Sequence, residues 1–254
     1  MGTDDVEVTL CDHHVAEIEI RRGPNNFFDN DLIASIADAL DDLAAGDCRA
    51  VVLCSEGRHF CAGADFSGGR RTTADDGPHL YEIAVRLFQQ PLPIVAAVQG
   101  AAIGGGLGLA MAADFRVASP EARFSANFAR LGFHHGFGLT VTLPLAVGHQ
   151  AAIDLLYTGR RVTGEEALAL GLCDELVPAE RLRAAAHDRA VEIATSAPLA
   201  VRSIRATMRG GLYEQVRAAV ARERAEQERL QRTADWREGV AASAQRRDPI
   251  FTGE

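Results

Sequence analysis

The chain has 254 residues, 47% of them hydrophobic, with a formal net charge of −9 and a pI near 5.4. That length supports one substantial core with a smaller appendage. The acidic balance argues against a phosphate-neutralising nucleic-acid surface, and no apolar run of about 18 residues offers a membrane span. The start, Met1 to Asp5, lacks the apolar stretch of a signal peptide, so the cytoplasm is the expected compartment. All 26 basic residues are arginine. Without lysine, a P-loop phosphate site and Schiff-base or pyridoxal chemistry are unavailable.

In chain order, residues 6–10 and 15–20 alternate apolar with polar side chains around Cys11-Asp12-His13-His14, which predicts a hairpin. Leu32, Ile33, Ile36, Leu40 and Leu43 recur at helical spacing, with Asn30 or Asp31 as the expected cap. A buried strand is predicted over 50–54. A polar stretch from Ser67 to Pro78, lid-like in composition, precedes an amphipathic helix carrying Leu80, Ile83, Ala84, Leu87 and Phe88. Pro91 and Pro93 stop that helix before a strand over 94–98. Short apolar pieces at 115–118 and 122–124 continue the rhythm, and helices dominate after about residue 138. Thr163-Gly164-Glu165-Glu166 has capping-box spacing, with Gly171 as the stop. From Pro198 onward the chain is rich in arginine, alanine and glutamate, with Leu212, Val216 and Val220 as a narrow stripe suited to oligomer packing. Residues 1–197 are therefore expected to form the core domain and 198–254 a helical region.

The five cysteines are scattered, odd in number and without a C-x-x-C pair, so reduced, mostly buried thiols are expected, Cys61 included. Two glycine-rich stretches each follow an apolar strand-like run: His59-Phe60-Cys61-Ala62-Gly63-Ala64-Asp65, and Gly100 through Gly108. The second leads directly into a helix-like run whose first turn carries unpaired N–H groups and the positive end of the dipole. Together the two turns resemble halves of one anion site, suited to a developing negative oxygen. The glycine run lacks the G-x-G-x-x-G spacing of a dinucleotide site, and no G-x-S-x-G elbow appears.

These motifs resemble the enoyl-CoA hydratase/isomerase, or crotonase, superfamily. The likeness is carried in order by Asn26, Phe60 to Asp65, Pro93 to Gly100, Gly104-Gly105-Gly106, Ala113 to Ser119, Tyr157-Thr158-Gly159, Gly171 to Val177 and Glu238-Gly239-Val240, and covers essentially the whole chain. The resemblance implies an α/β fold, a spiral of ββα units with a C-terminal helical trimerisation region, assembled as a homotrimer or dimer of trimers. It implies an acyl-CoA or enoyl-CoA thioester as ligand, with coenzyme A as part of the substrate and no further cofactor or metal. The backbone N–H groups of Ala64 and Gly105 correspond to the pair that binds the thioester oxygen.

The family's hydratases use two glutamates. By the same correspondence their places fall on Gly108 and Phe128, and the acidic position of isomerase and dehalogenase relatives falls on Gly136, so all three carboxylates are replaced. His134 and His135 lie beside the third position and could supply a base or acid; the alternative is that one packs and the other faces solvent. Tyr81 falls where dehalogenase relatives carry a residue facing the acyl group, although core packing also explains its ring. Asp65 is expected to support the backbone. Ala62 and Phe128, with Phe133 and Phe137, are expected near the acyl group, Asn26 near the substrate, and Arg22, Arg58, Arg70 and Arg71 near the nucleotide phosphates. The expected function is that of an acyl-CoA enzyme stabilising a thioester enolate, enoyl-CoA hydratase being the name family frequency suggests. The alternatives are a non-catalytic acyl-CoA binder, or an isomerase or thioester hydrolase using His134 or His135.

Overall fold

The computed structural model describes residues 5–66 and 79–254. The expected lid segment, with Arg70 and Arg71, lies outside the described residues. Strands β1 (Val6–Leu10) and β2 (Val15–Ile20) form the hairpin, α1 (Asn30–Ala45) follows, and β3 (Ala50–Ser55) pairs in parallel with β2. Helix α1 is capped one residue before the expected Asn30 or Asp31: the Asp29 carboxylate accepts the Leu32 amide at 3.0 Å, because Asp29 is the residue in extended conformation at the helix entry. After α2 (Leu80–Ala84) and a 3-10 turn over Val85–Phe88 come β4 (Ile94–Val98), β5 (Ala101–Ile103), α3 (Gly105–Ala112), β6 (Phe115–Ala118) and β7 (Arg123–Ser125).

The second half is mainly helical, with α4 (Leu139–Val147), α5 (His149–Thr158), β8 (Val162–Thr163), α6 (Gly164–Leu170), β9 (Glu175–Leu176) and α7 (Leu182–Ala194). Three helices, α8 (Pro198–Met208), α9 (Leu212–Leu230) and α10 (Ala234–Gln245), complete it. The larger sheet runs β1-β2-β3-β4-β6-β9, parallel except for β1, and a smaller sheet runs β5-β7-β8. The Thr163 hydroxyl accepts the Glu166 amide, and Gly171 closes α6 in the left-handed region.

Strands β3 and β4 read as unbroken apolar runs because both faces of the sheet are covered. Val51, Leu53, Ile94 and Ala96 point into the main core with the apolar face of α1, while Val52, Cys54, Val95 and Ala97 meet α7 through Ala186, Ala190 and Ala194. Sandwiched between helices, β3 and β4 are rigid neighbours in fixed register, with Val52 opposite Val95. Whatever leaves their C-terminal ends must therefore emerge side by side.

On α9 the buried stripe of Val216 and Val220 continues through Glu223 and Gln227, at helical spacing. Two polar side chains thus occupy the inner face of a helix whose outer face is solvated. No helix among the described residues is long and apolar enough to cross a membrane.

Candidate active site

The two glycine turns leave β3 and β4 and are laced together. Phe60 N donates to Gln99 O at 2.8 Å, Cys61 N to Ala101 O at 2.9 Å and Ile103 N to Cys61 O at 3.1 Å, so that Cys61 and Ala102 pair as in a parallel ladder. Ala64 and Gly105 each stand three residues beyond that pair. Phe28 adds a third strand of contact by donating to Gly63 O at 3.1 Å. Among the described residues, the lacing bonds leave the Ala64 and Gly105 amides without an acceptor.

Close approach explains the glycines. Gly104 adopts φ 57°, ψ −120°, a region for which a side chain is unsuited, and passes its own N–H to Ser125 O before the chain enters α3. A Cβ on Gly105 would enter the Phe28 ring, and one on Gly106 would enter the Cys61 carbonyl. Gly105 is the first residue of α3, so its amide lies at the positive end of an eight-residue helix.

Ala64 and Gly105 line one cavity of about 520 Å³, together with Ala62, Tyr81 and Phe128. One wall is aromatic: Phe133 packs edge-on to Trp236 at 4.5 Å between centroids and lies 5.4 Å from Phe128, while Phe66 meets Trp236 at 5.3 Å. Helix α10 supplies Val240 and Ala244 to the same cavity. It seats closely because Gly132 and Gly239 leave room, a Cβ on either running into the opposing backbone at Asp235 or Leu131. Polar residues line the cavity as well: His79 ahead of α2, and Arg224, Gln227 and Glu228 on α9. Ala62, Ile103, Asn127 and Ser243 are shared with an adjoining cleft lined by Arg58, Arg123, Arg161 and Arg183. Arg183 is held by Glu17 and Glu19, whereas Arg58 and Arg161 make no ion pair with another described residue.

Several expected site residues stand elsewhere. Neither His134 nor His135 lines the cavity. Their rings stack on each other at 4.1 Å, and His135 Nε2 pairs with the Thr140 hydroxyl at 2.8 Å. Burial pushes the His135 imidazole down to about 4. Glu223, wholly buried, accepts from the Gly138 and Thr140 amides and the Thr140 hydroxyl, and burial pushes its carboxyl upward. The 4.0 Å contact between His135 and Glu223 therefore joins two groups that are both held toward neutrality.

The Arg22 guanidinium is buried between Asp5 at 2.6 Å and Asp29 at 2.7 Å, and so is not available to a phosphate. Asn26 is fully buried: its amide donates to Glu56 O and His59 O, and its carbonyl accepts Arg22 N, which makes it a brace for the first turn rather than a substrate contact. His59 likewise accepts the Ala101 amide at 3.1 Å. Cys61 is buried, its thiol pushed up to about 12 by burial.

At the three positions expected to match family carboxylates, Gly108, Phe128 and Gly136, the structure places aromatic side chains. Phe128 is itself one cavity wall, a Cβ on Gly108 would lie 2.5 Å from Phe137 Cβ, and a Cβ on Gly136 would enter the Tyr81 hydroxyl. Tyr81 is buried, and its phenol is pushed upward by burial and by Glu223. His79 is a cavity residue that sequence reading passed over. Its Nδ1 accepts the Tyr81 amide at 3.2 Å, capping α2, a position histidine seldom fills.

The mainly parallel sheet flanked by helices, with two laced turns meeting at one cavity, defines an α/β protein with its pocket at the ends of adjacent strands. Residues 11–254 match the family model described as Enoyl-CoA hydratase/isomerase. A Rhodobacter capsulatus protein named "Probable enoyl-CoA hydratase" is 36% identical over 218 residues, covering 83% of each chain. An enoyl-CoA isomerase/hydratase of Mycosarcoma maydis is 34% identical over 214 residues, 81% of this chain and 77% of that one. The crystal structure of enoyl-CoA hydratase/isomerase from Pseudoalteromonas atlantica superposes with a TM-score of 0.90 at 31% identity, covering 98% of this chain and all of the other. The chain belongs to the enoyl-CoA hydratase/isomerase family and has the crotonase-like fold.

Proposed function

We propose that the chain binds an acyl-CoA thioester, holds its carbonyl oxygen between the amides of Ala64 and Gly105, and acts as an acyl-CoA enzyme of the hydratase/isomerase type through the stabilised enolate. The observation that carries this reading is that two amides from separate turns, each three residues past the same paired backbone positions, line one cavity. Preorganised donors of this kind act where charge develops, and removing one costs about 3 to 4 kcal/mol of transition-state stabilisation. Arg58 and Arg161 in the adjoining cleft suit the phosphates of the nucleotide. Enoyl-CoA hydratase is the activity named for several relatives.

Hydration adds hydroxide to the third acyl carbon and a proton to the second, and acid–base groups contribute about 10² to 10⁴ to such a step. Gly108, Phe128 and Gly136 supply none, and His134 and His135 lie off the cavity. That arrangement favours weak turnover, and it gives weight to a second reading, an acyl-CoA binder that does not turn over. Crotonyl-CoA distinguishes the two. Loss of enoyl absorbance supports the enzyme, unchanged absorbance with measurable affinity supports the binder, and absence of any acyl-CoA affinity overturns both.

We further propose a homotrimer as the assembled unit. Ile204 and Met208, one turn apart on α8, are 62% and 80% exposed, an apolar patch that a second copy would cover. A monomer by light scattering would refute this.

A further inference from the structure

The polar wall of the cavity has a definite hydrogen-bond sense. The Tyr81 amide donates to His79 Nδ1, so the lone pair sits there and the neutral imidazole carries its proton on Nε2. Burial pushes the His79 imidazole down, as does nearby Arg224, while Glu228 and Glu82 act against them, the net shift being downward. With its lone pair engaged on Nδ1, this imidazole presents a donor at Nε2, which has no acceptor among the described residues.

Gln227 is fixed the other way. Its side-chain nitrogen donates to His134 O at 2.8 Å. The amide orientation follows from the carbonyl partner. Its carbonyl oxygen, on a residue lining the cavity, accepts from no described residue. Beside Arg224 and Glu228, which pair with each other, these two residues give the wall a neutral donor and a neutral acceptor.

We propose that the acyl group selected by this cavity carries a hydroxyl, which accepts from His79 Nε2–H and donates to Gln227 Oε1. The inference rests on the acyl-CoA reading and refines it to hydroxyacyl or hydroxyaryl thioesters. A hydroxyl is the smallest neutral group that both accepts and donates. A plain hydrocarbon chain would desolvate both protein groups without replacing their hydrogen bonds.

The test compares affinities of non-reacting saturated thioesters by calorimetry: phenylpropanoyl-CoA against its para-hydroxyphenyl counterpart, and hexanoyl-CoA against its terminally hydroxylated counterpart. A preference of about tenfold or more for the hydroxylated member of at least one pair is expected. His79→Asn retains a cap for the Tyr81 amide and removes the Nε2 donor, so the preference should vanish, whereas His79→Gln, whose longer amide reaches the Nε2 position, should keep it. Gln227→Leu should also abolish it, with thermal melts confirming that each variant folds. Equal affinities within both pairs, or an undiminished preference in His79→Asn, overturn the proposal while leaving acyl-CoA binding intact. Failure of the unsubstituted protein to bind any of the four overturns the acyl-CoA reading itself, and this inference with it.

Discussion

Phe137 stands where a side chain on Gly108 would have to go, the two positions being so close that a Cβ at residue 108 would lie 2.5 Å from Phe137 Cβ. A glutamate at this position, the one expected to match a hydratase carboxylate, would therefore collide with Phe137. It is expected to cost about 1 to 3 kcal/mol through overpacking and to leave crotonyl-CoA turnover no faster. Phe137 has φ 63°, a backbone that glycine adopts freely. The double variant Gly108→Glu, Phe137→Gly should lose less stability than the sum of the single changes, a coupling that denaturant titration of the four proteins measures.

Ala64→Pro removes an amide donor, whereas Ala64→Ser keeps it. If the enolate is formed, the proline variant should lower kcat by about 10² to 10³ and the serine variant should stay near the parent. Equal activities would remove the Ala64 amide from the chemistry.

Asn26 is expected to act through the first turn. Asn26→Ala unfastens Glu56 O, His59 O and Arg22 N, and should cost about 1 to 3 kcal/mol for buried groups left unpaired. Thermal melting would show it, and an unchanged melting temperature would refute the bracing role.

Stability should depend on pH in a defined sense. His135 is held near 4 against an ordinary 6.5, so between those values the unfolded chain binds the extra proton and stability falls as pH drops. Glu223 is shifted upward, so the folded chain holds its proton above the ordinary carboxylate range and that stabilisation declines as pH rises through the raised value. His135→Phe should flatten the acidic fall, and Glu223→Gln the decline on the higher side, in urea titrations across pH.

Of the five thiols, Cys48, Cys54, Cys61 and Cys173 are buried and Cys11 is partly exposed. A colorimetric thiol reagent should modify one cysteine rapidly in the folded protein and all five in denaturant. Fast modification of Cys61 would contradict its buried, protonated state.

The parts of the fold that were legible in the sequence are those in which local pattern and final environment agree. Strand β4 occurs at 94–98, as the apolar run between Pro93 and the glycine turn implies, and the Thr163 box and Gly171 stop bound α6. The Asp29 cap was missed because Asp29, Asn30 and Asp31 are all competent caps and only the backbone conformation selects among them. The facing of His134 and His135 was not legible, since a loop that turns through positive φ at Phe137 carries no periodicity. The signal for Glu223 and Gln227 was present in their spacing from Val216 and Val220. It is obscured by polarity, which in an arginine- and glutamate-rich helix reads as a solvated face.

The seating of α10 on Gly132 and Gly239 orders events during synthesis. The laced turns that bear Ala64 and Gly105 leave the ribosome well before Val240 and Ala244, which finish the enclosure around them. A nascent chain therefore has both turns before it has the wall that α10 contributes. The hollow is complete only once the last helix has been made.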